Sequence, residues 1–222
     1  MAELSESLRN ALFYGIVDTG YVPRENLFSK CEQLAAAGAK IIQLRAKKQE
    51  QAERREMAFE LLPIFKKPNA PYFIINDSPE LAAEICSIIP NAGLHVGQDD
   101  MPPHEARKII GKNRVLGLST HSFEQATAAD ALADVLDYFA VGPVYATNTK
   151  PGRKPVGLEL VERVAAYSPK LPWFAIGGVN MRTAAQVRLA GAERIVAVSD
   201  VLVASDTTQA VKDLEREFLS AR

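Results

Sequence analysis

The sequence predicts an α/β fold of the (β/α)8 TIM-barrel class, and three observations carry that reading. Short apolar runs alternate with longer amphipathic stretches along the chain, eight such pairs can be counted, and the starts of the apolar runs fall 21 to 35 residues apart. This alternation is the signature of β-α units around a parallel sheet. Eight units in 222 residues suit a compact closed barrel. The competing layout is a doubly wound open sheet with the same units laid flat.

Taken in order, strands are expected at 12–17, 40–44, 72–75, 93–97, 114–118, 138–141, 173–176 and 194–198. Helices are expected at 24–37, 51–66, 79–88, 105–110, 124–132, 158–166, 183–190 and 208–219. Ser78 before Pro79 reads as a helix cap with proline at the first helical position. Pro90-Asn91 marks the turn into the fourth strand. The stretch 145–156 (YATNTKPGRKPV) is too long and too basic for a plain connection. Long loops at the C-terminal ends of barrel strands carry function.

No Ser/Gly-rich or charge-block linker divides the chain, so residues 1–222 read as one barrel domain with its active site at the C-terminal ends of the strands. A domain of this length buries roughly 70% of its unfolded surface and needs no staple. Cys31 and Cys86 accordingly read as inert core thiols in a reducing, cytoplasmic setting. The acidic N-terminus and the lack of any apolar run near 18 residues give no leader or membrane span. With 26 Lys+Arg against 27 Asp+Glu, no global field would capture nucleic acid, and any anion site must be local.

The strand ends are where polar residues collect. The two-residue period of a strand places Gln43, Arg45 and Lys47 in one row. An amide and two cations without an adjacent acid suit a polyanion such as a diphosphate. Alternatively the row is a solvated strand exit with Gln43 hydrogen-bonded inside the barrel. Asn76-Asp77-Ser78 and Gln98-Asp99-Asp100 follow the next two strands. Either acidic site alone is an ordinary helix cap, but Asp77 and Asp100 together, beside that row, suit Mg2+ held by carboxylates and substrate phosphates.

On the opposite side, Gly177-Gly178 and Val198-Ser199 end the last two strands. Glycines let backbone N–H groups approach an oxyanion, and the loops after strands 7 and 8 form a recurrent phosphate site in this fold. The alternative is a tight turn at Gly177-Gly178, and Asp200 would repel a phosphate unless it points away. His95 reads as a satisfied core imidazole, His104 as exposed, and His121 as a candidate acid-base group. No Ser-His-Asp or Cys-His arrangement, P-loop or dinucleotide fingerprint is present. The result is two anionic subsites in one barrel mouth, a layout that joins two phosphorylated substrates or rearranges one.

An ordered set of motifs resembles the thiamine-phosphate synthase (thiamine-phosphate pyrophosphorylase) family. They are Y-G-I-V-D at 14–18, Q-L-R-A-K at 43–47, I-N-D at 75–77, H-V-G-Q-D-D at 95–100, G-L-S-T-H-S at 117–122, G-P-V-Y-A-T-N-T-K at 142–150, A-I-G-G-V at 175–179 and V-S at 198–199. The resemblance implies that Gln43, Arg45, Lys47 and Asn76 hold the diphosphate of an aminopyrimidine, and that Asp77 and Asp100 bind Mg2+. It further implies that Ser119 and Lys150 contact the pyrimidine. Thr147 and Thr149 would contact the thiazole phosphate, and Gly178, Val198 and Ser199 would hold its phosphate. Arg45, Lys47, Ser119 and Lys150 are then the catalytic set.

The implied reaction couples hydroxymethylpyrimidine diphosphate to a (carboxy)thiazole phosphate by a Mg2+-assisted dissociative substitution, giving thiamine phosphate and pyrophosphate, with CO2 released where the thiazole is carboxylated. The partners are small-molecule substrates, with no nucleic acid or membrane. The chain departs from the family at Val17, Ala46, Asp99 and Asp200, and Asp99 is the alternative second metal ligand. Two other readings keep the barrel: a thiazole tautomerase using His121, and a silent binder of a phosphorylated ligand.

Overall fold

The computed structural model describes residues 6, 8–147 and 154–221. Eight parallel strands close into a barrel: β1 (Phe13–Asp18), β2 (Ile41–Arg45), β3 (Tyr72–Asn76), β4 (Ala92–Val96), β5 (Val115–Thr120), β6 (Tyr138–Val141), β7 (Trp173–Ile176) and β8 (Ile195–Ala197). Closure comes from β1 pairing with β8, Phe13 opposite Ile195 and Gly15 opposite Ala197. This removes the open-sheet alternative, because a doubly wound sheet leaves two edges.

The connecting helices are α1 (Arg24–Ala36), α2 (Gln51–Phe65), α3 (Pro79–Ile88), α4 (Pro103–Ile110), α5 (Phe123–Ala131), α6 (Gly157–Tyr167), α7 (Ala184–Leu189) and α9 (Thr207–Ser220), with a short α8 (Ser199–Leu202) directly after β8. The expected elements are all found, with ends shifted by a residue or two. The unforeseen one is α8, whose four residues are too few to produce a periodic signal. Ser78 holds the N-cap position of α3 but makes no side-chain cap bond.

The strands are almost wholly buried because helices cover the outside and side chains fill the inside. Tyr14, Tyr138 and Phe174 meet edge to face in the barrel, with ring centroids 5.4 to 5.7 Å apart. Gly117 makes the room: a Cβ there would lie 2.1 Å from the Tyr138 ring. Cys31 and Cys86 are buried free thiols. Among the described residues no helix is long and apolar enough to cross a membrane.

Register sets which strand-end residues meet. Asp18 is paired with Arg45 across β1 and β2, and Asn76 with His95 across β3 and β4. The connection after β6 is fastened at its described ends: Val156 N donates to Pro143 O at 2.8 Å and Gly157 N to Val144 O at 3.1 Å.

Candidate active site

The C-terminal strand ends enclose a cavity of about 380 Å³, within the range of small-molecule sites. Gln43, Arg45, Lys47, Asn76, Asp77 and Asp100 line one side of it. Ser119, Thr147, Gly178, Val198 and Ser199 line the remainder. Thr149 and Lys150 lie outside the described residues.

The basic row differs from the sequence expectation in one respect: each cation has an acid beside it. Arg45 Nη1 donates to Asp18 Oδ2 at 2.6 Å, with the two side chains 12% and 3% exposed. Lys47 Nζ lies 2.7 Å from Asp77 Oδ2. Both acids come from neighbouring strands, so the pairing depends on register, which no motif records. Gln43 stands apart from the cations, at the buried floor, where its amide nitrogen donates to Tyr14 Oη at 2.6 Å.

Asp77 has a positive φ of 55°, a region sparsely populated by residues with a Cβ and more open to Asp and Asn than to most. Its backbone N–H donates to His95 O at 2.9 Å, and the turn presents the carboxylate to its neighbours. Asp100 is exposed as a residue, yet its carboxylate folds back to accept from Gly97 N at 2.7 Å. Burial of that carboxyl, then the hydrogen bond shared with Asp77, raise its pKa above the ordinary aspartate value. Neither aspartate caps a helix, since α3 starts from Ser78 and α4 from Pro102. Asp99 lines the cavity as well.

Two hard carboxylates side by side fit a divalent cation of the Mg2+ type, which takes one or two protein carboxylates and completes its octahedron with water and substrate phosphate. Among the described residues no group of three or more His, Cys, Asp or Glu forms an all-protein metal cage.

Across the mouth, Gly177 and Gly178 both have positive φ, 100° and 67°. A Cβ would lie 2.4 Å from Pro143 Cα at the first and 2.6 Å from Tyr145 Cβ at the second, so the backbone passes where no side chain fits. Asn180 Nδ2 donates to Gly178 O at 3.0 Å, and Thr183 Oγ1 to the same oxygen at 2.9 Å. Val198 precedes α8 and Ser199 begins it. Asp200 lines the cavity, and its Oδ2 accepts from Met181 N at 3.5 Å, which draws the carboxylate toward the loop after β7.

His95 is satisfied, as expected of a core imidazole, but one of its partners is Ser119 of the cavity, at 2.9 Å. His121 lines the cavity with Nδ1 bonded to Gly142 O. His104 is exposed on α4. Sequence reasoning assigned no role to Asp18, although it ends the first motif, and none to Tyr14 and Tyr138, which belong to β1 and β6. Gln98 was also missed; its Nε2 donates to Ser119 O at 2.7 Å and ties the β4 loop to β5.

Comparison with known proteins places the whole chain beside one family. The family model described as thiamine monophosphate synthase matches residues 13–201. A thiamine-phosphate synthase of Arthrobacter sp. (strain FB24) is 44% identical over 200 residues, covering 81% of this chain and 82% of that protein. One from Thermobifida fusca (strain YX) is 37% identical over 218 residues, covering 98% and 97%. Among solved structures, a thiamine phosphate pyrophosphorylase from Pyrococcus furiosus superposes with a TM-score of 0.73 at 25% identity, covering 98% of each chain.

Proposed function

The chain belongs to the thiamine monophosphate synthase family, and from that premise we propose how its barrel mouth divides the work of joining two substrates. The activity is thiamine-phosphate synthesis, a transferase reaction. The observation that carries the proposal is the cluster of Lys47, Asp77 and Asp100 beside Arg45, four charged groups from three neighbouring strand ends around one cavity.

In this reading Arg45, Lys47 and Asn76 bind the diphosphate of the aminopyrimidine substrate. Asp77 and Asp100 would hold Mg2+, which when bound supplies neutralisation of the leaving diphosphate. Gln43 sits on the cavity floor, below the cations, and the pyrimidine ring lies over it and Ser119. Gly178, Val198 and Ser199 take the phosphate of the (carboxy)thiazole partner, with Thr147 and Thr149 along it and Lys150 reaching the pyrimidine. The reading treats residues 1–222 as one domain, and a reducing, cytoplasmic setting goes with its two thiols.

The chemistry follows from where charge grows. The C–O bond to the diphosphate breaks, and the electron-rich aminopyrimidine stabilises the methylene cation left behind. The thiazole nitrogen then attacks that carbon, and a carboxylated thiazole loses its carboxylate as CO2 to give the same product. Negative charge accumulates on the departing diphosphate, so preorganised cations at its oxygens lower the barrier. Asp18 holds the Arg45 guanidinium by its Nη1 edge, which fixes the donor before substrate arrives. No general base is required, because the nucleophilic nitrogen carries no proton.

The test is product formation from the two substrates, with pyrophosphate measured alongside thiamine phosphate. Equal release of both, absent when either substrate is omitted, is expected. Conversion of the thiazole phosphate alone would instead mark a tautomerase, for which the diphosphate-binding cluster would have no use. Binding of both substrates without turnover would mark a silent binder.

A further inference from the structure

Five side chains cross the barrel floor in one unbroken hydrogen-bonded chain. Gln43 Nε2 donates to Tyr14 Oη at 2.6 Å. The Tyr14 and Tyr138 hydroxyls are 2.9 Å apart, Tyr138 Oη is 2.9 Å from His95 Nδ1, and His95 Nε2 is 2.9 Å from Ser119 Oγ. All five residues are buried. Gln43, Tyr14, His95 and Ser119 line the cavity, with Tyr138 linking them from below.

With Gln43 Nε2 as the donor at the first link, one order gives every hydroxyl proton along the chain an acceptor. An amide nitrogen only donates, so the Tyr14 oxygen accepts from Gln43 and spends its single proton on Tyr138. Tyr138 in turn gives its proton to His95 Nδ1. Burial raises the pKa of both phenols, so both take part as neutral hydroxyls. An imidazole that accepts at Nδ1 carries its proton on Nε2, and Nε2–H donates to Ser119 Oγ. The Ser119 oxygen is thereby engaged as an acceptor, which leaves its own proton for a partner in the cavity that Ser119 lines.

We propose that Tyr138 and His95 are positioning residues that hold Ser119 as a hydroxyl donor to an unprotonated ring nitrogen of the pyrimidine substrate. The proposal rests on the reading that Ser119 contacts that ring. It makes a chemical distinction: an aminopyrimidine presents an acceptor nitrogen to the Ser119 proton, whereas a pyrimidinone that carries N–H at that position offers that proton no acceptor. A site built to hydrogen-bond one pattern rejects the other, because its buried polar groups are left unpaired.

The experiment has two arms. In the first, nitrogen-15 NMR reads the His95 tautomer in the protein without substrates, where a neutral ring protonated at Nε2 is expected; protonation at Nδ1 would overturn the chain's direction. In the second, Tyr138→Phe keeps the ring seated over Gly117 and removes the hydroxyl link. It should release His95 into a mixture of tautomers and weaken calorimetric binding of the pyrimidine diphosphate about tenfold, leaving thiazole phosphate binding unchanged. An unaltered tautomer, or equal loss for both ligands, would overturn the positioning role. Neither arm needs turnover, so failure of the synthase reading in the activity assay is seen separately.

Discussion

Arg45 and Asp18 stand opposite each other in register at the ends of β2 and β1, 2.6 Å apart and nearly removed from solvent. Asp18 also accepts from Gly20 N at 2.8 Å through its other oxygen, so the carboxylate is fixed by the turn that follows β1 and in turn fixes the guanidinium. Breaking one side of such a buried pair leaves an uncompensated charge.

Asp18→Asn should therefore lower the stability by about 3 kcal/mol, read as the urea unfolding midpoint. It should also raise the KM for the pyrimidine diphosphate more than for the thiazole phosphate. The exposed pairs of Arg24 with Glu56 and Glu60 are the contrast: Arg24→Ala should leave the midpoint nearly unchanged. An Asp18→Asn midpoint equal to that of the parent protein would show that Arg45 does not depend on this partner.

The far side of the mouth responds to shape. Gly178→Ala places a methyl group against Tyr145 at a positive φ, and about 1 to 3 kcal/mol of destabilisation is expected. Ser199→Asp puts a carboxylate where a phosphate is to bind, so the thiazole phosphate KM should rise more than the pyrimidine KM. Steady-state kinetics with each substrate varied in turn gives the answer, and equal effects on both would dissolve the two-subsite division.

The thiols give a test of the packing itself. Burial raises the pKa of both, and that of Cys86 to about 11. At pH 8 neither should react with a thiol-specific reagent in the native protein, and both should react on unfolding. Rapid native-state labelling of Cys31, on the inner face of α1, would contradict the placement of that helix.

Much of the fold was legible because the barrel repeats one local pattern, and each β-α unit announces itself by periodicity. The strand ends with broken apolar patterns, from Gln43 to Ser199, also come together around one cavity as their residue types suggested. What could not be read is non-local or geometric. The Asp18–Arg45 and Lys47–Asp77 pairs arise from cross-strand neighbours, so the row that looked free of acids is not. Tyr14 and Tyr138 carried no separate signal in the sequence because their hydroxyls meet only when the barrel closes. The left-handed turn at Asp77 has no sequence signature, as Asp before Ser-Pro equally suits a cap.

The most direct measurement is thiamine phosphate formation from the two substrates, followed by thiochrome fluorescence, with and without Mg2+ and with Asp77→Asn beside the parent protein. Asparagine tolerates the positive φ at this position, so the turn survives while the charge is lost. Product that needs Mg2+, with a rate lowered on the order of 30-fold to 1000-fold in Asp77→Asn, is the expected result. Near-parental turnover of a folded Asp77→Asn at saturating Mg2+ would contradict the assignment of the diphosphate and its metal to this side of the barrel.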